Sequence, residues 1–267
     1  MRFFQDLWIM FFAEVRMYYR WKERIIWDIL GALIMFVGFI LVWRAIIAGG
    51  FQGIGDLTAE NYITFILCGS LLWDIIYQAA GWQMALAIIR DKDMRTLPYV
   101  LLSPMNKIAY LYAKVGLGIV RFVINNTILI LLASIFFDFS FKGSLMLTLF
   151  LFFLTFLAFS GIGLIISSLG AWREGIAQFA MVLTDILYLF SGVHYPIEVF
   201  PESMRSFVSA LPTTQAINAV RAIGLHGAGI FEIMPQIIYL GIMALITPLL
   251  GYLAFRWVRN RAMLIGI

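Results

Sequence analysis

The sequence predicts an all-α polytopic membrane protein with six transmembrane helices, and three observations carry that prediction. Hydrophobic residues make up 63% of the 267 positions and charged residues only 13%, whereas soluble domains run at roughly 45–50% and about 25%. Apolar runs of about 18 or more residues, the length a helix needs to cross a ~30 Å hydrocarbon layer, recur along the chain. They leave no stretch long enough for a separate soluble domain, so residues 1–267 read as a single transmembrane domain. Because the bilayer core offers no water to an open sheet edge, and because the runs lack the alternation of a barrel strand, the spans have to be helices.

The first segment, 1–24, has its own pattern. At helical periodicity Arg2, Gln5, Asp6, Arg16, Arg20, Glu23 and Arg24 share one arc, while Phe3, Phe4, Leu7, Trp8, Phe11, Phe12, Val15 and Tyr19 lie mostly elsewhere. Such a helix is expected to lie in the membrane interface with its apolar face down, and Glu14 and Lys22 break the pattern. The charges of this segment and the lack of a small-residue cleavage site argue against a cleaved leader. Windows of about 19 residues then give spans at Ile25–Ile47, Tyr62–Ile89, Ile108–Phe137, Ser144–Leu169, Gly175–Phe190 and Ile237–Phe255. With the N-terminus inside, 15 of the 19 lysines and arginines fall on the inner side, and only Arg44, Lys142, Arg205 and Arg221 fall outside. Inner loops are enriched in these residues, so both termini are expected in the cytoplasm. The net charge of +4 is a topology signal spread beside the spans, and no nucleic-acid partner is expected.

Two connections are more than loops. Between the second and third spans, 90–105 sets Arg90, Asp91, Lys92, Asp93, Met94 and Arg95 before the apolar Pro98–Leu102 stretch, closed by Ser103-Pro104. Proline disfavours helix at the residue before it, so a short cytoplasmic helix ends at Ser103. Its apolar residues need a cover, either the N-terminal helix or another protein. Between the fifth and sixth spans, 191–235 is broken at Gly192, Tyr195-Pro196, Pro201 and Leu211-Pro212. The pieces Pro201–Ala210 and Thr214–Gly224 are too short to cross and read as re-entrant external helices forming a cap.

Chemistry-bearing motifs are absent: no G-x-x-x-x-G-K-[ST] loop, no H-E-x-x-H, no G-x-S-x-G elbow. Cys68 is the single cysteine and reads as packing, and His194 and His226 stand 32 residues apart without a ligand cluster, so no metal and no catalytic residue is assigned. Acids within spans are more informative, since a charge at mid-bilayer costs at least about 2.5–3.5 kcal/mol on insertion scales. Asp74 and Asp185 fall near the middle of their spans, with Asn125 and Asn126 in the third. Helix-to-helix hydrogen bonding, the lining of a substrate path and a proton relay all remain open for them. Asp28, near the start of the first span, is expected to reach the interface or pair with Arg24 or a neighbouring helix.

Taken together, the amphipathic N-terminal helix, the six spans, Leu101-Leu102-Ser103-Pro104, Arg173-Glu174 before the fifth span, and Ser191-Gly192, Tyr195-Pro196, Pro201, Leu211-Pro212 and Arg221 resemble the membrane subunits of type-2 ATP-binding cassette exporters. Where that family commonly has a Gly-Thr-Leu-Glu-like sequence, Met94-Arg95-Thr96-Leu97-Pro98 keeps only Thr-Leu. The resemblance implies a permease in the plasma membrane that is not itself an enzyme. It pairs with a second copy, more readily a homodimer than a heterodimer, and exports an amphipathic, drug-like or lipid-like molecule in contact with membrane lipid. It implies that ATP and Mg bind a separate ATPase subunit and that this chain binds no cofactor. ATPase coupling falls to Arg90, Asp91, Arg95, Leu97, Tyr99, Leu101, Leu102, Arg173 and Glu174, the substrate path to Asp74, Asn125 and Asp185, and the external cap to Gly192, Tyr195, Pro196 and Pro201. A lipid-linked polysaccharide exporter is the alternative within the class. An ion-coupled secondary transporter using Asp74 and Asp185 is the alternative outside it; such folds show interrupted helices in two corresponding halves, and this sequence shows one interrupted region.

Overall fold

A computed structural model of the chain describes residues 2–78, 86–137, 139–172 and 175–265. Apart from one two-stranded hairpin it is all-α. Helix α1 (Arg2–Arg20) is separated from α2 (Lys22–Ala48) by a break at Trp21, near the boundary between the 1–24 segment and the first expected span. Strands β1 (Gly53–Ile54) and β2 (Leu57–Thr58) pair antiparallel, Gly53 opposite Thr58 and Ile54 opposite Leu57. Then come α3 (Tyr62–Ile76), α4 (Ala87–Asp93), α5 (Leu97–Leu102), α6 (Lys107–Phe136), α7 (Leu145–Trp172), α8 (Ile176–Phe190), α9 (Glu202–Ala210), α10 (Pro212–His226) and α11 (Met234–Ile265).

Among the described residues four helices are long and apolar enough to cross a membrane, within α2, α6, α7 and α11. The fifth expected span is matched to within one residue by α8, and the second comes out shorter. α8 has 15 residues, about 22 Å at 1.5 Å per residue, and Gly175 before it sits at φ 87°, where a side chain would be strained. α3 also has 15 residues and passes through a wider, π-type turn at Tyr77 and Gln78; such turns are frequent at functional sites. The rest of that expected span runs into residues 79–85, outside the described ones.

The most extensive packing joins α7 to α11. A Cβ built on Gly161 would lie 2.2 Å from the carbonyl carbon of Thr247 and 2.3 Å from the nitrogen of Pro248, and one on Gly251 would lie 2.8 Å from the Gly161 oxygen. Small residues are what let two membrane helices bring their backbones this close. The Thr247 hydroxyl, which donates to the Ala158 carbonyl, ties the crossing from the α11 side. α10 is buried along α3: Ile217, Ala219, Val220 and Ile223 join Phe65, Ile66, Leu67 and Leu72 in the main core. α2, by contrast, leaves Ile26, Ile34, Leu41 and Val42 exposed, an outer surface suited to hydrocarbon.

Replacing Gly161 with alanine is expected to lower thermal stability by about 1–3 kcal/mol, the range for forcing extra volume into a packed site. Gly31→Ala, where nothing lies within 4 Å of the added carbon, should cause no loss. Thermal unfolding of the detergent-purified protein followed by size exclusion measures both.

Candidate translocation site

A cavity of about 620 Å³ opens between α2, α3, α6 and α8, within the ~300–1,000 Å³ range of ligand pockets. All three expected path residues, Asp74, Asn125 and Asp185, line it. Asp74 is placed by its own helix and its neighbour: its carboxylate accepts from Gln78 Nε2 at 3.2 Å, one turn on, and from Asn126 Nδ2 of α6 at 2.6 Å. Asn126 also donates to the Phe122 carbonyl at 2.9 Å, so its amide is held from two sides. Asn125 is buried and Asp185 is exposed. The aromatic wall comes from Trp27, Phe36, Trp73, Tyr77 and Tyr188.

An ion pair lines the cavity. Arg121 Nη2 donates to Asp28 Oδ1 at 2.6 Å, with side chains 7% and 17% exposed, and the Tyr18 hydroxyl donates to Asp28 Oδ2 at 3.1 Å. Asp28 therefore pairs with a neighbouring helix, one of the outcomes expected for it. Burial, reinforced by the Asp28 carboxylate, pushes the Tyr18 hydroxyl up to about 12, so Tyr18 stays a neutral donor. Sequence reasoning counted Arg121 only as a topology charge. The signal that could have found its role is its spacing: Arg121 and Asn125 are four residues apart, on one face of α6.

Below that pair α1 lies along α6. Lys114 Nζ is 3.3 Å from Glu14 of α1 and 3.3 Å from Asp91 of α4, and Asp6 accepts from the Asn106 backbone N–H at 2.9 Å. Glu14, out of place on the expected amphipathic pattern, thus faces a lysine of α6. Where one short helix was expected over 90–105 there are two, α4 and α5. Arg95 adopts φ 58° in the turn between them, and Pro98 falls in the first turn of α5, where its missing N–H is no loss. The expected stop is present: Ser103 is extended, φ −64° and ψ 149°. Of the expected coupling residues, Tyr99 and Leu102 are 77% and 85% exposed, and Arg95 is exposed. Arg90 is half-buried, and Asp91 is buried against Lys114 and faces inward. It holds α4 to α6 and offers no surface to a partner. Arg173 and Glu174 lie outside the described residues, as do the side chains of Leu97 and Leu101.

At the opposite end the four expected cap residues come together. Gly192 turns the chain at φ 65° after α8, Tyr195 donates to the Leu189 carbonyl, Pro196 precedes a single helical turn at Ile197–Val199, and Pro201 starts α9. Arg221, from the middle of α10, binds this turn to α3. Its Nη2 donates to the Val193 carbonyl at 2.6 Å, and its guanidinium lies 3.4 Å from the centre of the Phe65 ring. Gly69 leaves room for it, since a Cβ there would lie 2.9 Å from Nη2. His194 is buried, stacked on Phe39 at 3.7 Å, with its Nε2 2.6 Å from the Tyr188 hydroxyl. His226 lies 3.4 Å from Asp56.

Residues 56–253 match the family described as ABC-2 family transporter protein. That match covers most of the chain, and the chain belongs to this family: it is a multi-pass membrane protein and the transmembrane subunit of an ABC transporter. The family is not itself catalytic and works with an ATP-binding cassette ATPase. No curated protein matches the chain.

Removing either side of the Arg121–Asp28 pair leaves a buried charge alone, which typically costs about 3–5 kcal/mol. Arg121→Met and Asp28→Leu are each expected to destabilise the detergent-purified protein on that scale. The double variant should recover a substantial part of the loss, giving a non-additive double-mutant cycle in thermal unfolding.

Proposed function

We propose that this chain is the permease of an ABC exporter, with the cavity between α2, α3, α6 and α8 as the central part of its path. The observation that carries the reading is that cavity: polar groups carried by three apolar helices are costly in a membrane and mark substrate routes. In this reading α3 and α8 complete the six spans, the termini are cytoplasmic, and the protein sits in the plasma membrane. α1 lies in the inner interface, with Phe4, Trp8 and Phe12 exposed toward lipid. A second copy covers the exposed face of α8. Gln178, Val182, Asp185 and Leu189 lie along that face, and a carboxylate there is better placed against protein or a water-filled path than against hydrocarbon.

A separate ATPase seats beneath α5, with Tyr99 and Leu102 as its apolar anchors, and binds the ATP and Mg. Closure of the ATPase dimer pushes on α4 and α5, and Lys114 passes the displacement to α6 and α1 together. The cap of α9, α10 and the Gly192–Pro201 turn, re-entrant in the outer leaflet, shuts the path until the spans move. The cargo is an amphipathic, drug-like or lipid-like molecule.

Affinity purification from native membranes is expected to recover a soluble chain carrying a phosphate loop. Tyr99→Ala with Leu102→Ala should reduce that recovery at least tenfold while leaving the permease monodisperse, because both side chains are exposed. A permease that emerges alone and still transports under an ion gradient without ATP overturns the reading in favour of Asp74 and Asp185 as an ion site.

A further inference from the structure

Resting on the reading of the cavity as a substrate path, we propose that it selects organic cations, with an ammonium group met by Asp74 and Asp185 and an apolar body held by the aromatic wall. Among the described residues four charged side chains line the cavity: Asp28, Asp74, Arg121 and Asp185. Arg121 is matched by Asp28 at 2.6 Å, which leaves two carboxylates. Among the described residues neither Asp74 nor Asp185 has a lysine, arginine or histidine within ion-pairing distance. The donors to Asp74 are neutral amides, Gln78 and Asn126. Two carboxylates without a basic partner favour a cation over an anion in the cavity.

The amides supply a second, independent observation. Because Gln78 and Asn126 turn their nitrogens to Asp74, their carbonyl oxygens point elsewhere, and Gln78 Oε1, Asn125 Oδ1 and Asn126 Oδ1 have no donor. These residues are only 4%, 6% and 4% exposed. Buried acceptors left without a donor are unfavourable, and three of them on residues that line the cavity fit a ligand that brings N–H groups. Arg121 retains unpaired Nε and Nη1 donors, but its charge is already matched, so these atoms suit a neutral acceptor on the same ligand or a water. The aromatic side chains complete the match. Trp73 and Tyr188 stand 5.0 Å apart, tilted by 59°, and Trp27 and Tyr77 line the same space; ring faces of this kind attract ammonium groups and cover apolar surface.

The test uses the purified permease–ATPase complex and three dansyl probes of similar size. Dansylcadaverine carries a primary ammonium, its N-acetyl derivative is neutral, and dansyl-6-aminohexanoate is an anion. Fluorescence titration should show the ammonium probe binding at least tenfold tighter than the other two. Asp74→Asn and Asp185→Asn should each weaken it about tenfold and leave the neutral probe unchanged. Asp185 is exposed, so Asp185→Asn keeps the fold even where Asp74→Asn does not. Equal affinity for the three probes, or ammonium binding unchanged in Asp185→Asn, overturns cation selection. If the neutral probe or the anion is nevertheless moved by ATP in proteoliposomes, the export path stands and only the cation inference falls. If no probe is moved and no ATPase is retained by the permease, the path reading falls and takes the inference with it.

Discussion

A charge carried into hydrocarbon has to find its match inside the protein, and that constraint organises this molecule from one end to the other. Arg221 meets a carbonyl and an aromatic ring at the cap, Arg121 meets Asp28 beside the cavity, and Lys114 meets two carboxylates lower down. Each match joins elements distant in sequence: α10 to α3 and the Gly192 turn, α6 to α2, and α6 to both α1 and α4. In water such pairs would be exchangeable for solvent; without solvent, partner choice is dictated, and the helices are held in one arrangement.

The same constraint accounts for where the molecule remains open. Asp74 is held by amides and has no basic partner among the described residues, and Asp185 is exposed on α8. These are the charges without internal matches among the described residues that line the cavity, and they sit at the seam between the well-packed body and the thinly packed α2 and α8. The body itself is rigid for a different reason. Where α7 crosses α11, Gly161 and Gly251 let backbones touch, so that pair can serve as a fixed wall against which α3, α6 and α8 move.

Lys114 gives the lower half a mechanical character. One ammonium group holds Glu14 of the N-terminal helix and Asp91 of the segment next to Tyr99 and Leu102. α4, and with it the neighbouring α5, is therefore tied to α1 and α6 together. Asp6 on the Asn106 N–H and Asn106 capping α6 reinforce the junction.

Much of this was legible in the chain itself. Apolar run length located α2, α6, α7 and α11, because a helix in hydrocarbon has no other way to satisfy its backbone. Proline and glycine located the breaks at Ser103, Gly192, Pro201 and Leu211, and the rarity of acids within spans singled out Asp74 and Asp185. What the sequence could not determine was partnership. Helical periodicity says which residues share a face, not which helix that face will meet. Thus Arg121 read as a topology charge, although it pairs with Asp28, 93 positions away. Asp91 read as an ATPase-coupling residue, although it lies buried on Lys114. Only the tertiary structure decided these, because the energy that selects a neighbour comes from burying matched charges and close-fitting backbones together, and neither exists until the helices have packed.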